Sequence, residues 1–424
     1  MISILAGLFG LLLIGAPIGM AFALIVMFNT GTFNLWLASL GSIPYDAVSG
    51  FPLLAIPLFL LVGEVMGSGG LAERLTALCD RVLRRVPARL GHVMIGASAM
   101  LGAITGSSVA TVAAIGGIVF PEMLRRGYAR GYIAALNAAS GLLGCLIPPS
   151  IPLILYGSVV GVSITELFLA TIGPGVVMTC AFFATHALRA RYGLAGKREL
   201  VVGAAANAPV GVQAGTRAAS ALLLPVVVLG GIYSGVFTPT EAAGVACMYT
   251  LAVTLAQRSL HWGELPGVFN STARAAAAIL TIIALTSIFN RAMVLAQVPQ
   301  EIAAFAATAT QSPAVFLLAI NLVLVLVGMF METNAAVMLM GPLLAPAAMR
   351  FGIDPVHFGI VLVTNIEIGL LTPPMAANLY VAARISGANL VEMMCHFVWF
   401  LLAALLVLAL IIYIPGIALW YRIL

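Results

Sequence analysis

The chain has 424 residues, of which 62% are hydrophobic and only 8% are charged, and its mean hydropathy is +1.15. This composition excludes a soluble globular domain and is typical of a polytopic, all-α membrane protein. The net charge of +5 comes from basic residues that mostly lie in short loops between apolar segments, so we expect a lipid bilayer and no nucleic acid as partner.

Nine apolar runs are long enough to cross a bilayer, which takes about 20 residues. They lie near 3–28, 50–68, 132–160, 167–188, 219–236, 241–257, 268–290, 356–383 and 393–421. The first run is too long for a cleavable signal peptide, and we expect it to remain. Residues 71–90 have a basic face at helical spacing, which predicts a helix on the cytoplasmic surface.

Two further apolar stretches, 92–124 and 313–349, are interrupted near their middles and are predicted to be re-entrant hairpins. Nine spans then place the N-terminus in the cytoplasm and the C-terminus in the periplasm. All but Arg291, Arg350 and Arg422 of the 19 basic residues fall on the cytoplasmic side, a strong positive-inside bias.

The two halves of the chain repeat. Gly102 and Gly328 open matching stretches, in which ITGSSVAT (104–111) matches METNAAV (331–337). GLLGCLIPPS (141–150) then matches IEIGLLTPPM (366–375), which aligns Gly144 with Gly369, and the offset stays at 225–226 residues. Each proline pair breaks a helix, and in hydrocarbon such a break survives only where it is buried or lines a cavity. Because the first hairpin enters from inside and the second from outside, the pattern predicts inverted repeats around a midplane site of a secondary transporter.

This pattern predicts four regions. They are 1–91, with N-terminal spans and the surface helix as part of a scaffold; 92–188, the first repeat core, with hairpin 92–124 and broken helix 132–160; 189–267, a central cytoplasmic loop and scaffold helices; and 268–424, the second, inverted repeat, with hairpin 313–349 and broken helix 356–383.

The hairpin tips and helix breaks carry hydroxyl, amide and freed carbonyl oxygens, which suit Na⁺ and exclude a zinc site. The N-terminal ends of the half-helices suit a carboxylate. Small polar residues also pack membrane helices, so each hydroxyl is equally a packing candidate.

Glu332 and Glu367 have three open roles: Na⁺ ligand, proton carrier or structural partner of an amide. Glu241 is predicted to cap a helix. The five cysteines are predicted to be packing residues rather than a disulfide or metal framework.

In chain order, ITGSSVAT, LIPPSIPLILYG, FTPTEAAG and LLTPPMAANLYVA resemble the large membrane subunit of tripartite ATP-independent periplasmic (TRAP) transporters, in the wider ion-transporter superfamily. The resemblance covers essentially the whole chain. It implies an elevator mechanism in the bacterial inner membrane, Na⁺-driven uptake of a small organic anion such as a C4-dicarboxylate, and no organic cofactor. It also implies a periplasmic substrate-binding protein and a small membrane subunit, which we expect to be a separate polypeptide.

The resemblance and the oxygen pattern together assign three groups of residues. The first Na⁺ site would contain Gly106, Ser107, Ser108, Ser140 and Pro148; the second would contain Glu332, Thr333, Asn334, Asn365, Thr372 and Pro373; and the substrate would meet Ser107, Ser150, Asn334 and Asn378.

Three alternatives remain at this point. A stand-alone Na⁺/carboxylate symporter of the same superfamily would share the repeats and breaks. An intramembrane enzyme needs a nucleophile or an acid pair, and Ser107 has no His or Lys close by in the sequence. A passive channel fits paired hairpins poorly. The sequence does not identify the solute.

Overall fold

The computed structural model describes residues 7–8, 10–11, 14–33, 35–36, 39–194 and 217–422, which are helical with short connections. The α-helices, in chain order, are α1 Ile18–Met27, α2 Ser39–Val48, α3 Ala55–Ser68, α4 Leu71–Val82, α5 Arg89–Thr105, α6 Ser108–Arg125, α7 Arg130–Gly141, α8 Leu143–Leu146, α9 Ile151–Val160, α10 Ile164–Arg191, α11 Arg217–Tyr233, α12 Pro239–Ala256, α13 Leu265–Leu295, α14 Val298–Ala309, α15 Pro313–Phe330, α16 Thr333–Arg350, α17 Pro355–Leu370, α18 Ala377–Ser386 and α19 Leu390–Tyr413. The predicted all-α class is confirmed for these residues.

Six helical segments within the described ranges are long and apolar enough to cross a membrane, and the bent pair α7–α8 and α9 makes a seventh if it is one span. The six are Phe51–Ser68, Ser108–Arg125, Ile164–Arg191, Trp262–Leu295, Pro313–Phe330 and Leu390–Tyr413. Four coincide with predicted spans, and the other two are arms of the predicted hairpins. The chain is therefore a multi-pass membrane protein.

Two predicted elements end earlier than expected. The surface helix predicted over 71–90 stops at Val82, and α4 is half-buried against α5 and α11. A buried ion pair joins α4 to the start of α5, with 2.9 Å between Asp80 Oδ1 and Arg89 Nε. The last helix stops at Tyr413 because Pro415 lacks a backbone N–H and begins a 3-10 turn.

One group of helices packs around α13, the longest helix that the structure describes. Helix α13 contacts α1, α2 and α3, while α3 contacts α12 and α12 contacts α11. Glu241 caps α12, as predicted, because its Oε2 accepts the Thr238 backbone N–H at 2.8 Å. The predicted boundary at residue 268 falls inside α13, and the four-region division stays a prediction. Lys197 and Arg198 of the predicted central loop lie outside the described residues.

The second group contains the two matched halves. In each half a pair of helices joined by a two-residue tip (α5–α6 and α15–α16) packs on a broken helix (α7–α8 with α9, and α17 with α18). A Cβ added at Gly102 would lie 2.7 Å from the Cα of Gly144, and one at Gly369 would lie 2.7 Å from the Cα of Gly328. The glycines aligned from the sequence thus make the same close contact in both halves.

The broken helices exchange their second arms between the halves. Helix α9 of the first half packs against α16 and α17, and helix α18 of the second half packs against α6 and α7. Arms α7–α8 and α9 are bent by 41° at the first break. This reciprocal exchange is the pattern expected of two halves related by an approximate two-fold, and the inverted arrangement of the repeats stays a prediction.

We expect Gly102→Ala to lower the melting temperature of the purified protein. The new Cβ would meet backbone atoms of α8, and overpacking typically costs about 1–3 kcal/mol. Gly117→Ala in α6 is the matched control, since a Cβ there meets nothing within 4 Å. Alanine is the better helix former, so the control should be neutral or stabilising. Equal melting temperatures for both variants would contradict the close contact.

Candidate functional site

The first hairpin tip lies against the first proline break. Gly106 ends α5 with a φ of 60°, and Ser107 caps α6 by accepting the Ala110 backbone N–H at 3.4 Å. The Ile151 backbone N–H donates to the Gly106 carbonyl at 3.3 Å, and a Cβ added at Gly106 would lie 2.8 Å from the Pro149 carbonyl oxygen. Both φ and space therefore require glycine here. The tip and the break, which the sequence assigned to one site, are in contact.

The second tip is organised by Glu332, the N-cap of α16. Its carboxylate accepts the backbone N–H groups of Asn334 at 3.0 Å and Ala335 at 3.2 Å, and the Asn334 side-chain amide at 2.7 Å. Of the roles left open for Glu332, the pairing with an amide neighbour is present, and a role as cation ligand stays a prediction. The Met375 backbone N–H donates to the Met329 carbonyl at 3.1 Å, so this tip region also contacts its own break.

Both tips meet at one carboxyl group. Thr333, in the second tip, donates its hydroxyl to Glu367 Oε1 at 2.9 Å. The side chains of Ser108, in the first tip, and Cys145, in α8, lie close to the same carboxyl group. Glu367 is only 1% exposed, so this meeting point is shielded from solvent. The sequence placed Glu367 on the second broken helix but did not bring it next to the first half.

The hydroxyls of Ser140 and Thr372, predicted at the two breaks, each donate a hydrogen bond to a backbone carbonyl of the same broken helix. Ser140 donates to the Leu136 carbonyl at 2.7 Å, and Thr372 donates to the Ile368 carbonyl at 3.1 Å. A hydroxyl has two acceptor lone pairs besides its proton, so both oxygens still offer acceptor capacity.

The breaks differ in access. Pro148 is buried whereas Pro373 is exposed, and each proline pair contains a cis peptide bond. The first break is therefore enclosed by the chain, and the second opens at its surface.

Several buried polar atoms near the tips and breaks have no hydrogen-bond partner. Among the described residues they include Asn137 Oδ1, Ser150 Oγ, Asn334 Oδ1, Thr364 Oγ1, Asn365 Oδ1, Glu367 Oε2, and both amide atoms of Asn378. Most buried polar groups in proteins are paired, and an unpaired one costs about 1–3 kcal/mol. Such a concentration needs a physical explanation, and a site that takes up ions or a polar ligand supplies one.

Asn378 brings the second half to the first tip. It lies on α18 and is fully buried. A Cβ added at Gly141 would lie 3.3 Å from Asn378 Nδ2 and 3.1 Å from the Ser108 carbonyl oxygen, so these groups line the same narrow space. Asn365, on α17, is also fully buried, and its amide donates to the Asn321 side chain and carbonyl.

The structure thus brings together Ser108, Thr333 and Asn378 from the predicted set. The amide nitrogen of Asn365 is paired with Asn321, and its Oδ1 has no partner. The sequence pattern did not single out Asn137 or Thr364, and it left three roles open for Glu367 without assigning it to either Na⁺ site. The available signal was their polarity within apolar helices, since such residues in membranes are costly and usually functional.

The family description "Tripartite ATP-independent periplasmic transporter, DctM component" matches residues 5–417. The chain belongs to this family. It is 36% identical to the C4-dicarboxylate TRAP transporter large permease protein DctM of Pseudomonas aeruginosa, over 88% of this chain and 87% of that protein. It is 34% identical to the sialic acid TRAP transporter large permease protein SiaM of Vibrio cholerae, over 91% and 90%.

A longer relative is the isethionate TRAP transporter permease protein DctMQ of Oleidesulfovibrio alaskensis, 36% identical over 99% of this chain and 66% of that protein. Among solved structures, the YdaH transporter of Alcanivorax borkumensis matches with a TM-score of 0.61 and 18% identity, over 88% of each chain. That likeness supports the fold alone.

Membership of the TRAP family confirms the resemblance found in the sequence. The chain is a large permease subunit of a transporter and not an enzyme, so the alternative of an intramembrane enzyme is excluded. In this TRAP permease the two halves meet at the tips and breaks, where several polar groups are buried without partners, and this region is the candidate transport site.

Proposed function

We propose that this TRAP large permease takes up a small organic acid together with Na⁺, across the bacterial inner membrane, with its N-terminus in the cytoplasm and its C-terminus in the periplasm. The observation that carries the proposal is the convergence of both hairpin tips on shared buried polar groups, several of which have no partner. A transporter that binds its cargo between two repeats needs such groups at membrane depth.

Na⁺ suits the acceptors that remain free. Asn334 Oδ1 and Asn365 Oδ1 are buried acceptors without a partner. The Ser140 hydroxyl donates its proton to a carbonyl of its own helix, so its oxygen can still accept or bind a cation. Neutral hydroxyl, amide and carbonyl oxygens suit a hard cation such as Na⁺. Two cations, one for each tip, agree with the two-fold arrangement of the halves.

The solute is proposed from the relatives and from the donors at the site. The relatives named above carry C4-dicarboxylate, sialic acid or isethionate in their names, which are all organic acids. In this chain the Asn378 amide and the Ser150 hydroxyl are buried donors without partners, and both belonged to the predicted substrate group. C4-dicarboxylates and other small carboxylates are therefore the first solutes to test.

The proposal includes an elevator with inverted repeats. The hairpins and broken helices contact one another across the halves. Helices α1–α3 and α11–α13 pack mainly on one another, and they meet the hairpins where α13 contacts α16 and α3 contacts α5. This division supports a transport body that moves against a scaffold. The distribution of basic residues supports the inverted orientation. A separate small membrane subunit and a periplasmic substrate-binding protein complete the proposed transporter.

The Na⁺ assignment is tested with Ser108→Ala and Thr333→Ala. We expect each to raise the Na⁺ concentration for half-maximal uptake roughly tenfold, since losing one buried polar partner costs about 1–3 kcal/mol and about 1.4 kcal/mol is tenfold. Uptake is measured in proteoliposomes that contain the small subunit, with the cognate binding protein added, at several Na⁺ concentrations and with K⁺ keeping the ionic strength constant. Thr250→Val is the control, because that hydroxyl bonds only within α12. Unchanged Na⁺ dependence in both tip variants would return these hydroxyls to a packing role.

A further inference from the structure

We propose that Glu367 couples the two predicted cation sites, so that a cation bound at one hairpin tip prepares the other tip for the second cation. This inference rests on the proposed Na⁺ function. It adds a residue that belonged to neither site, and it predicts how the two sites depend on each other.

The geometry places one carboxyl group between the two tips. Glu367 Oε1 accepts the Thr333 hydroxyl at 2.9 Å, and the Ser108 side chain lies close to the same group. Glu367 Oε2 is buried and has no hydrogen-bond partner among the described residues. Within those residues, no Arg or Lys forms an ion pair with Glu367.

Packing does not require an acid at this position. In the alignment of the halves, Leu142 stands where the second half has Glu367, and Leu142 is fully buried. Near Leu142, Gly102 contacts Gly144. Near Glu367, Gly328 contacts Gly369 in the same way, so the close packing does not depend on the acid. Only one of the two matched positions therefore carries an acid, and its carboxyl group lies where both tips meet.

The coupling follows from the burial of that group. A buried carboxylate without a positive partner is strongly unfavourable. The first cation at either tip supplies the missing charge and favours the arrangement in which both tips close on Glu367. The second cation then binds a tip that is already in its binding arrangement, which is positive cooperativity by population shift. Reciprocity requires the effect to be the same whichever site fills first.

The test measures cation binding without uptake. The chain and its small subunit are purified together, and the melting temperature is followed against Na⁺ concentration at constant ionic strength. For the native protein we expect a titration with a Hill coefficient above one, with two as the upper limit for two sites. Glu367→Gln keeps an acceptor for Thr333 but removes the charge. We expect its Hill coefficient to fall to about one and its midpoint to rise at least threefold. Glu264→Gln, an exposed capping acid on the surface, should leave the titration unchanged.

A mutant cycle gives a second measure of coupling. With Glu367 present, Ser108→Ala and Thr333→Ala should have non-additive effects on the Na⁺ midpoint, because both hydroxyls face one carboxylate. In the Glu367→Gln background the two effects should multiply independently. If Glu367→Gln does not fold, Glu367→Asp tests the coupling instead. It keeps the negative charge, but its shorter side chain cannot reach both tips, so we expect its Na⁺ titration to have a Hill coefficient of about one.

The outcomes separate this inference from the proposed function. A native steepness that persists in Glu367→Gln or Glu367→Asp, or additive effects in both backgrounds, overturns the coupling and leaves Na⁺ transport standing. A native protein whose melting temperature does not respond to Na⁺ overturns both.

Discussion

Proteoliposomes that contain this chain, its small partner subunit and an inward Na⁺ gradient are expected to accumulate organic acid only when the cognate periplasmic binding protein is present. The reason is the weak attraction of the site for a free anion. Among the tip and break residues that the structure describes, none is Arg or Lys. A helix N-terminus contributes about 0.3–1 kcal/mol, and up to about 2 kcal/mol when partly buried. A carboxylate loses far more than that on leaving water.

Bound Na⁺ offsets part of this deficit, but a solute at low concentration would still bind the permease poorly. A binding protein with high affinity overcomes the problem because it captures the solute and presents it at the open face. The measurement is initial uptake of a radiolabelled C4-dicarboxylate with and without the binding protein, and with K⁺ in place of Na⁺ as the control. Strong Na⁺-driven uptake without any binding protein would favour the stand-alone symporter of the same superfamily.

Asn378→Leu is expected to reduce uptake at least tenfold while leaving the melting temperature unchanged or higher. Asn378 is fully buried on α18, and neither of its amide atoms has a hydrogen-bond partner among the described residues. An unpaired buried polar group costs about 1–3 kcal/mol, and an apolar side chain of similar size removes that cost. Because the unpaired amide of Asn378 lowers the stability of the folded protein, it does not serve folding. We therefore expect this side chain, which lies beside the first tip, to act in transport.

Thr286→Val provides the matched control. Thr286 lies on α13, is fully buried and likewise has a hydroxyl without a partner. Its replacement removes the same kind of unfavourable group from a helix outside the hairpins and broken helices, so the melting temperature should stay the same or rise and uptake should persist. If Asn378→Leu transports as well as Thr286→Val does, Asn378 has no part in solute binding. If Asn378→Leu melts at a much lower temperature, the amide is a structural group.

Several features of the protein could be predicted because they depend on neighbouring residues in the chain. Apolar runs predicted the membrane helices, and interruptions within such runs predicted the hairpins. The two proline pairs predicted both helix breaks, since proline removes a backbone donor wherever it stands. Comparing the halves aligned Gly102 with Gly328 and Gly144 with Gly369. In the structure Gly102 contacts Gly144, and the aligned Gly328 contacts Gly369 in the same way. The motifs at the tips and breaks were specific enough to indicate the TRAP family, which the comparisons confirm.

Other features depend on contacts between residues that are distant in the chain, and only the tertiary structure shows them. The exchange of α9 and α18 between the halves places Asn378 beside Ser108, although 270 positions separate them. Glu367, on α17, meets Thr333 of its own half and Ser108 of the other half, which lie 34 and 259 positions away in the chain. Glu332, by contrast, is engaged in capping its own helix.

The sequence by itself determined that this is a membrane protein of the TRAP family with matched halves, because composition, proline breaks and local motifs act over a few residues. The tertiary structure decided which polar side chains share one buried space and which are already paired. The physical reason is that hydrogen-bond partners of a buried group come from whichever helix packs against it. Glu332 and Glu367 show the difference, since in the sequence both are acids within apolar stretches. In the structure Glu332 is hydrogen-bonded to Asn334, whereas Glu367 lies between the two tips with its Oε2 unpaired.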